Sequence, residues 1–152
     1  MAREPDGDDW VWRVSIADVS ADGPFSALPG VDRWIAVATG TGMALTVDGV
    51  DVEVTAESPA FAFDGGAATT CRLLDGPVQD LNLMVRHGGA AGAMEVVWLD
   101  GPRSLDGVTV SVVLDGAVAI GGERLEAHDA AIGEVGVVEP LGRARVALIS
   151  VG

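Results

Sequence analysis

Short runs in which apolar and polar residues alternate, separated by glycine turns, are the feature that most restricts how this chain can fold. Residues 50–54 alternate without a break. Residues 10–16 place their large apolar side chains on one face, namely Trp10, Trp12, Val14 and Ile16. Asp-Gly pairs follow apolar runs at 48–49 and 115–116, a signal typical of hairpins. No window of about 11 residues has the apolar spacing of a helix. These patterns predict an all-β chain.

The two halves of the chain resemble each other. Residues 42–49 are similar to residues 116–123, and residues 57–61 to residues 128–132, at nearly matching separations. Between the halves lies a stretch rich in glycine and alanine, the composition of a flexible link. We therefore predict four segments: a flexible lead-in at 1–9, a first β-barrel at 10–86, a joint at 87–93 and a second β-barrel at 94–152.

Charge argues against two classes of partner. The chain has a formal net charge of −14 and contains no lysine, whereas nucleic acids and anionic membrane surfaces are bound through basic patches. Charged residues or glycine also interrupt every apolar run well before the roughly 18 residues of a membrane span. We expect neither a nucleic-acid nor a membrane partner.

The single cysteine indicates the compartment. Cys71 has no second cysteine with which to form an internal disulfide, and the start of the chain lacks the charged and apolar regions of a signal peptide. We therefore predict a cytoplasmic protein. The neighbouring Arg72 would favour a reactive thiolate, but no histidine is close in sequence, so a buried structural thiol is the preferred interpretation over a nucleophile.

The loop at residues 22–33 is a candidate wall of a site. It contains two prolines, two glycines and Phe25, and it ends in the adjacent pair Asp32 and Arg33. Such a backbone is restricted, and a rigid loop that displays polar groups is a good place for binding. Phe25 either plugs the end of a barrel or forms the side of a pocket.

Polar side chains from two strands are predicted to converge on this loop. Arg13 and Ser15 lie on the strand face opposite Trp12 and Val14. If that face and the polar face of the strand at 80–86 line one interior, a guanidinium, a hydroxyl and an amide could hold a carboxylate. We predict that Arg13 anchors it; the alternative is a structural ion pair of Arg13 with Asp32 or Asp80. The predicted ligand-binding residues are Arg13, Ser15, Phe25, Ser26, Asp32, Arg33, Asp80 and Asn82.

Several motifs, taken together and in this order, resemble the HutD/Ves family: residues 12–17, 21–26, 29–33 and 74–84. The resemblance is close over residues 10–86 and loose afterwards. It implies a two-barrel cupin (bicupin, RmlC-like) fold and a bacterial protein associated with histidine utilisation. Family members also carry an upstream segment similar to Trp-Lys-Asn-Gly-Gly-Gly that has no counterpart here, which implies either a truncated start or the loss of part of a site.

The histidines give little support to catalysis. A metal-dependent cupin needs a cluster of histidines with a carboxylate, whereas His87 and His128 are isolated in turn-like sequence. Neither histidine is placed to activate Ser15 or Ser26 as a nucleophile. We therefore predict no metal, no cofactor and no catalytic residue.

Two functional hypotheses follow. In the first, the protein binds a small carboxylated metabolite, for which the resemblance implies a histidine-degradation intermediate such as urocanate or formylglutamate, and acts as a non-catalytic sensor or regulator. In the second, it is a metal-free, isomerase-like enzyme acting on a small acid in the same cavity. The lack of a histidine set favours the first. A homodimer is among the assemblies that the sequence allows.

Overall fold

In this computed structural model the chain is built from β-strands and turns. The structure describes residues 2–4 (backbone only), 10–88, 90–133 and 136–152. The chain divides into two compact units, Met1–Ala91 and Gly92–Gly152. Within the described ranges no helix has the length and apolarity needed to cross a membrane.

The first unit contains two antiparallel sheets. Its strands are β1 (Ala2–Glu4), β2 (Trp12–Val19), β3 (Gly23–Pro24), β4 (Val31–Thr39), β5 (Gly42–Val47), β6 (Val50–Thr55), β7 (Phe61–Asp64), β8 (Thr69–Leu73) and β9 (Val78–Arg86). One sheet has the order β1-β2-β9-β4-β7 and the other β3-β8-β5-β6. Their facing sides enclose an interior with an apolar cluster of Ile35, Val37, Met43, Leu45, Val54, Cys71 and Val78.

The second unit repeats this arrangement. Its strands are β10 (Gly92–Leu99), β11 (Arg103–Ser104), β12 (Val110–Asp115), β13 (Ala117–Ile120), β14 (Glu123–Glu126), β15 (Ala130–Ile132), β16 (Val137–Pro140) and β17 (Ala144–Val151). The sheet orders are β10-β17-β12-β15 and β11-β16-β13-β14. Strand for strand, these match β2-β9-β4-β7 and β3-β8-β5-β6, so the predicted internal repeat is a repeat of topology.

The repeat extends to individual turns. In the β5–β6 hairpin the central residues Asp48 and Gly49 have φ of 47° and 82°, and in the β13–β14 hairpin Gly121 and Gly122 have φ of 57° and 82°. Positive φ at both central residues is the requirement of a type I′ turn, whose twist matches that of the strands. The Asp-Gly and Gly-Gly signals therefore lead to the same hairpin in each unit.

A bulge and a glycine recur in both units. Pairing with β9 shifts between Val37 and Thr39, and pairing with β17 shifts between Val113 and Asp115. Each bulge is followed by a glycine of positive φ, Gly40 at 106° and Gly116 at 79°. A Cβ would lie 2.7 Å from a carbonyl oxygen at the first glycine and 2.6 Å from one at the second. Only glycine fits such an approach.

Several boundaries differ from those predicted. β2 continues to Val19 rather than ending at Ile16, and β4 begins at Val31, inside the predicted loop at 22–33. Within the predicted lead-in, Ala2–Glu4 forms an edge strand paired with β2, while residues 1 and 5–9 lie outside the described residues. The boundary between the units falls inside the predicted joint, of which residue 89 is also outside them.

Candidate functional site

A cavity opens on the first unit, between the β2–β9–β4 face and the segment that precedes β4. Its volume is about 580 Å³, within the range of small-molecule sites. Ser20, Ala21 and Ser26 line it and are exposed, so it communicates with solvent. The predicted loop forms its wall from Asp22 to Leu28.

Strand register brings the polar side chains of this cavity together. On β9, Met84 pairs with both Arg13 of β2 and Arg33 of β4. Two residues earlier, Asn82 pairs with Ser15 and Ile35, and two earlier again Asp80 pairs with Ala17 and Val37. Because side chains alternate along a strand, these positions share the face that lines the cavity.

Arg33 is the buried cation of the site. Only 7% of its surface is exposed, and its Nη2 donates a hydrogen bond of 2.9 Å to Asn82 Oδ1. Its Cζ lies 5.5 Å from the ring centroid of Phe25 and 5.1 Å from that of Phe63, distances typical of cation–π contacts. Burial lowers the pKa of Arg33, an effect that the charge of Asp80 opposes. An arginine nevertheless stays charged in proteins.

Arg33 retains binding capacity. Its Nε is buried and has no hydrogen-bond partner among the described residues. No carboxylate of the described chain lies within 4 Å of the guanidinium as an ion pair. A buried charge without such a partner is costly, and an anion in the cavity would reduce that cost.

Asn82 connects Arg33 to a buried acid. Its Nδ2 donates a 2.8 Å hydrogen bond to Asp80 Oδ1, while its Oδ1 accepts from Arg33. Because arginine only donates, this arrangement fixes which way the amide points. Asp80 is 2% exposed. Burial raises the pKa of Asp80 and Asp18 raises it further, while the Asn82 hydrogen bond, Arg33 and a backbone hydrogen bond lower it.

Arg13 and the loop residues form the rim. Arg13 lines the cavity but is exposed, and Ser15 behind it is half-buried. Among the described side chains Arg13 has no carboxylate within 4 Å, which excludes the ion pair with Asp32 or Asp80 there. Phe25 is half-buried between the Arg33 guanidinium and the apolar interior, so it forms the side of the cavity.

The family model for HutD matches residues 1–146. The chain belongs to the HutD family. It is 36% identical over 107 residues to an uncharacterized 21.2 kDa protein in the hutC 3′ region of Pseudomonas putida, covering 70% of this chain and 55% of that protein. It is 32% identical over 80 residues to protein Ves of Citrobacter koseri, covering 52% of this chain and 42% of that protein. It therefore spans about half the length of these curated relatives.

Solved structures extend the similarity over the whole chain. HutD of Pseudomonas fluorescens SBW25 matches with a TM-score of 0.79 and 30% identity, covering 100% of this chain and 86% of that one. A conserved protein of unknown function from Pseudomonas aeruginosa PAO1 matches at 0.81 and 31%, covering 99% and 86%. A cupin 2 conserved barrel domain protein of Leptotrichia buccalis, at 0.57 and 13% over 93% and 84%, shares the fold alone. The predicted two-barrel cupin fold and the HutD resemblance are confirmed.

The cavity of this HutD-family chain contains most of the predicted ligand-binding residues, namely Arg13, Ser15, Phe25, Ser26, Arg33, Asp80 and Asn82. Asp32 is the exception. It lies on the other face of β4, where its Oδ1 is 2.9 Å from Nε2 of the exposed His87. The alternation of β4 explains this, since neighbouring residues point to opposite faces.

The donor set of the cavity does not fit a metal ion. Arg33, Asn82 and a single buried carboxylate occupy its interior, whereas transition metals in cupins require several histidine or carboxylate ligands. Nowhere in the described ranges do three His, Cys, Asp or Glu side chains meet in a metal-binding arrangement. No step of a mechanism is therefore assigned to a metal.

Sequence reasoning missed Asp18, Leu28 and Met84, which also line the cavity. Asp18 lies in the part of β2 that extends beyond its predicted end. Leu28 lies in the loop at 22–33, which was predicted as a wall without naming this residue. Sequence reasoning also missed Gly65, where a Cβ would lie 2.7 Å from the Val31 oxygen and 3.2 Å from Arg33 Cδ. For Met84 a signal was available, since alternation along β9 places it on the same face as Asp80 and Asn82.

Proposed function

We propose that this HutD-family protein binds a small carboxylated metabolite in the cavity of its first barrel, with Arg33 as the anchor. The observation that supports this most is a buried guanidinium beside a solvent-open cavity with no ion-pair partner among the described side chains. Such a charge is best compensated by an anion that enters from solvent.

Several features suit this site to a carboxylate. The guanidinium is planar and its orientation is held by Asn82 and by two aromatic rings, so little freedom is lost on binding. A carboxylate can accept two parallel hydrogen bonds from such a group. Arg13 at the rim adds a second positive charge that attracts an acid into a chain of net charge −14.

The names of the relatives suggest the class of metabolite. HutD of Pseudomonas fluorescens and the protein in the hutC 3′ region of Pseudomonas putida both carry names that associate the family with histidine utilisation. We therefore propose a histidine-degradation intermediate such as urocanate or formylglutamate as the ligand, and a cytoplasmic sensor or regulator of that pathway as the role.

A thermal-shift panel followed by calorimetry tests this proposal. Urocanate and formylglutamate are compared with their uncharged amides, and the acid that stabilises the protein is titrated into wild type, Arg33→Met and Arg33→Lys. Arg33→Met should weaken binding by about 1.5–3 kcal/mol, the contribution of a hydrogen bond to a charged group. Lysine keeps the charge but loses the planar fork, so its loss should be smaller.

Two further variants serve as controls. Arg72→Met removes an exposed arginine from β8, outside the cavity, and should leave the affinity unchanged. Arg13→Ala should weaken binding by about 0.5 kcal/mol, because a charge at an exposed rim is screened by solvent. If Arg33→Met binds the acid as tightly as wild type, Arg33 is a structural cation held by Phe25, Phe63 and Asn82, and the proposal is wrong.

A metal-free, isomerase-like enzyme is the second candidate function. It is favoured by the raised pKa of the buried Asp80, because an acid whose pKa is shifted towards neutrality can give and take a proton. Incubating the bound acid with wild type and with Asp80→Asn, and following the products by NMR, tests it. Conversion by wild type that is lost in Asp80→Asn would replace the sensor role with a catalytic one.

A further inference from the structure

The charge of the cavity presents a difficulty for any anionic ligand. Its described lining contains two guanidiniums, from Arg13 and Arg33, and three carboxyl groups, from Asp18, Asp22 and Asp80. With all of them ionised the lining carries a net charge of −1, and a bound carboxylate would raise this to −2. In a partly desolvated cavity such an excess of negative charge opposes binding.

Asp80 is the acid best placed to remove this excess. It is 2% exposed, whereas Asp18 and Asp22 are exposed at the rim. Asp22 Oδ1 already accepts a 2.8 Å hydrogen bond from the Leu73 N–H, and Asp18 Oδ1 accepts a 3.1 Å bond from Gln79 Nε2. The Asp80 carboxyl is separated from the Arg33 guanidinium only by the Asn82 amide. An anion on Arg33 would therefore act on Asp80 more strongly than on the solvated acids.

We infer that a ligand carboxylate enters this cavity together with one proton from solvent, which forms an O–H bond on the Asp80 carboxyl group. The inference rests on the proposed function, since it concerns how that carboxylate is accommodated. The charged and titratable groups near Asp80 are Arg33 from β4, Asp18 from β2 and Cys71 from β8, with Arg13 and Asp22 lining the same cavity. Burial already raises the pKa of Asp80 in the free protein, and the negative charge of a bound carboxylate would raise it further.

Proton uptake can be measured directly by calorimetry. Formylglutamate, whose carboxyl groups stay ionised above pH 5, is titrated into the protein in pairs of buffers with different ionisation enthalpies, at intervals from pH 5 to pH 9. The difference between paired buffers gives the number of protons taken up per ligand. We expect a maximum of roughly 0.5 to 1 proton, and an apparent Kd that rises about three- to tenfold per pH unit around that maximum and levels off at higher pH.

Two variants assign the proton. Asp80→Asn is uncharged and can still accept the Asn82 hydrogen bond, so it should bind formylglutamate without proton uptake and more tightly than wild type at pH 8. Asp75→Asn removes one charge from an exposed turn outside the cavity and should keep the uptake of wild type.

The outcomes separate the inference from the function on which it rests. Binding by wild type with fewer than about 0.2 protons taken up at every pH, or uptake that persists in Asp80→Asn, overturns the inference and leaves carboxylate binding intact. Failure of both formylglutamate and urocanate to bind at any pH overturns both. Binding by wild type without proton uptake would overturn the inference even if Asp80→Asn does not fold.

Discussion

The two barrels of this chain share a topology but differ in the side chains of their interiors. In the first, β9 presents Asp80 and Asn82 to the interior. At the same register positions in the second, β17 presents Val146, paired with Val113, and Leu148, paired with Ser111 and Glu95. Val146 and Leu148 belong to a buried apolar cluster. One backbone therefore carries a polar interior in one unit and an apolar interior in the other.

The two barrels also differ in whether the arginines that line their hollows are paired with a carboxylate. The position of Ser15 in β2 is taken in β10 by Glu95, whose Oε1 accepts a 2.6 Å hydrogen bond from Arg103 Nη2. Both residues line a hollow of about 440 Å³. Arg103 therefore forms an ion pair with a carboxylate of the chain itself, whereas the described structure gives neither Arg13 nor Arg33 an ion pair. A few substitutions on a repeated scaffold thus distinguish a unit suited to binding from one suited to stability.

The largest effect should come from replacing the polar interior side chains of the first barrel with apolar ones, so that its interior resembles that of the second. We expect the combination of Arg33→Met, Asp80→Val and Asn82→Leu to reduce affinity for the acid by at least about 100-fold, since the anchor and its support are removed. The free energy of unfolding should stay equal or rise by about 1–4 kcal/mol, because a buried polar network is replaced by apolar side chains. Calorimetry and urea unfolding measure both; retained affinity would show that the interior of the first barrel is not the site.

Placing a polar side chain in the apolar interior of the second barrel should destabilise it. Leu148→Asn places an amide in an apolar cluster that has no polar network to receive it, and should lower the free energy of unfolding by about 2–4 kcal/mol. The matched change in the first barrel is the triple variant above, which should cost less, because it removes the whole polar network and leaves no buried charge without a partner. Urea unfolding of both variants tests this, and equal losses would mean that the interiors do not differ as described.

The alternation of residues made much of this comparison predictable. Asp80 and Asn82 were predicted on one face of their strand, and both line the cavity. The hairpin at residues 48–49 followed from its Asp-Gly pair because that turn is a local property of the chain.

What escaped prediction depends on contacts between distant residues. Arg33 was assigned to the end of a loop because Asp32 and the nearby glycine and proline are typical of turns and do not indicate the start of β4. Its burial follows from pairing with Met84 in β9 and Phe63 in β7. Arg13 had the clearer strand context, and its role as the anchor stays a prediction; its exposure at the rim is the reason that we propose Arg33 instead. The short strands β14 and β15 were not predicted either, since their few residues alternate too briefly to be recognised.

A smaller effect concerns the pH dependence of stability. Burial raises the pKa of Asp80, so the folded protein holds this proton more tightly than the unfolded chain does. Stability should therefore fall as the pH rises from the ordinary aspartate value through the raised pKa of Asp80, and stay lower above it.

Asp80→Asn removes that loss. Its free energy of unfolding relative to that of wild type should therefore be higher at pH 8 than at pH 5. Urea unfolding at both pH values measures the difference, with Asp75→Asn as the control for one lost charge. A relative stability that does not change with pH would mean that Asp80 has the same pKa in the folded and unfolded states.

Methionine methyl groups report most directly which barrel binds the acid. Met84 lines the cavity of the first barrel, Met94 lines the hollow of the second, and Met43 lies in the apolar interior of the first. In ¹³C-methyl-methionine NMR, titration with formylglutamate should shift the Met84 signal to saturation and leave the Met94 signal unchanged, with assignments from Met84→Leu and Met94→Leu. A saturable shift of Met94 without a shift of Met84 would place the ligand in the second barrel and contradict the account.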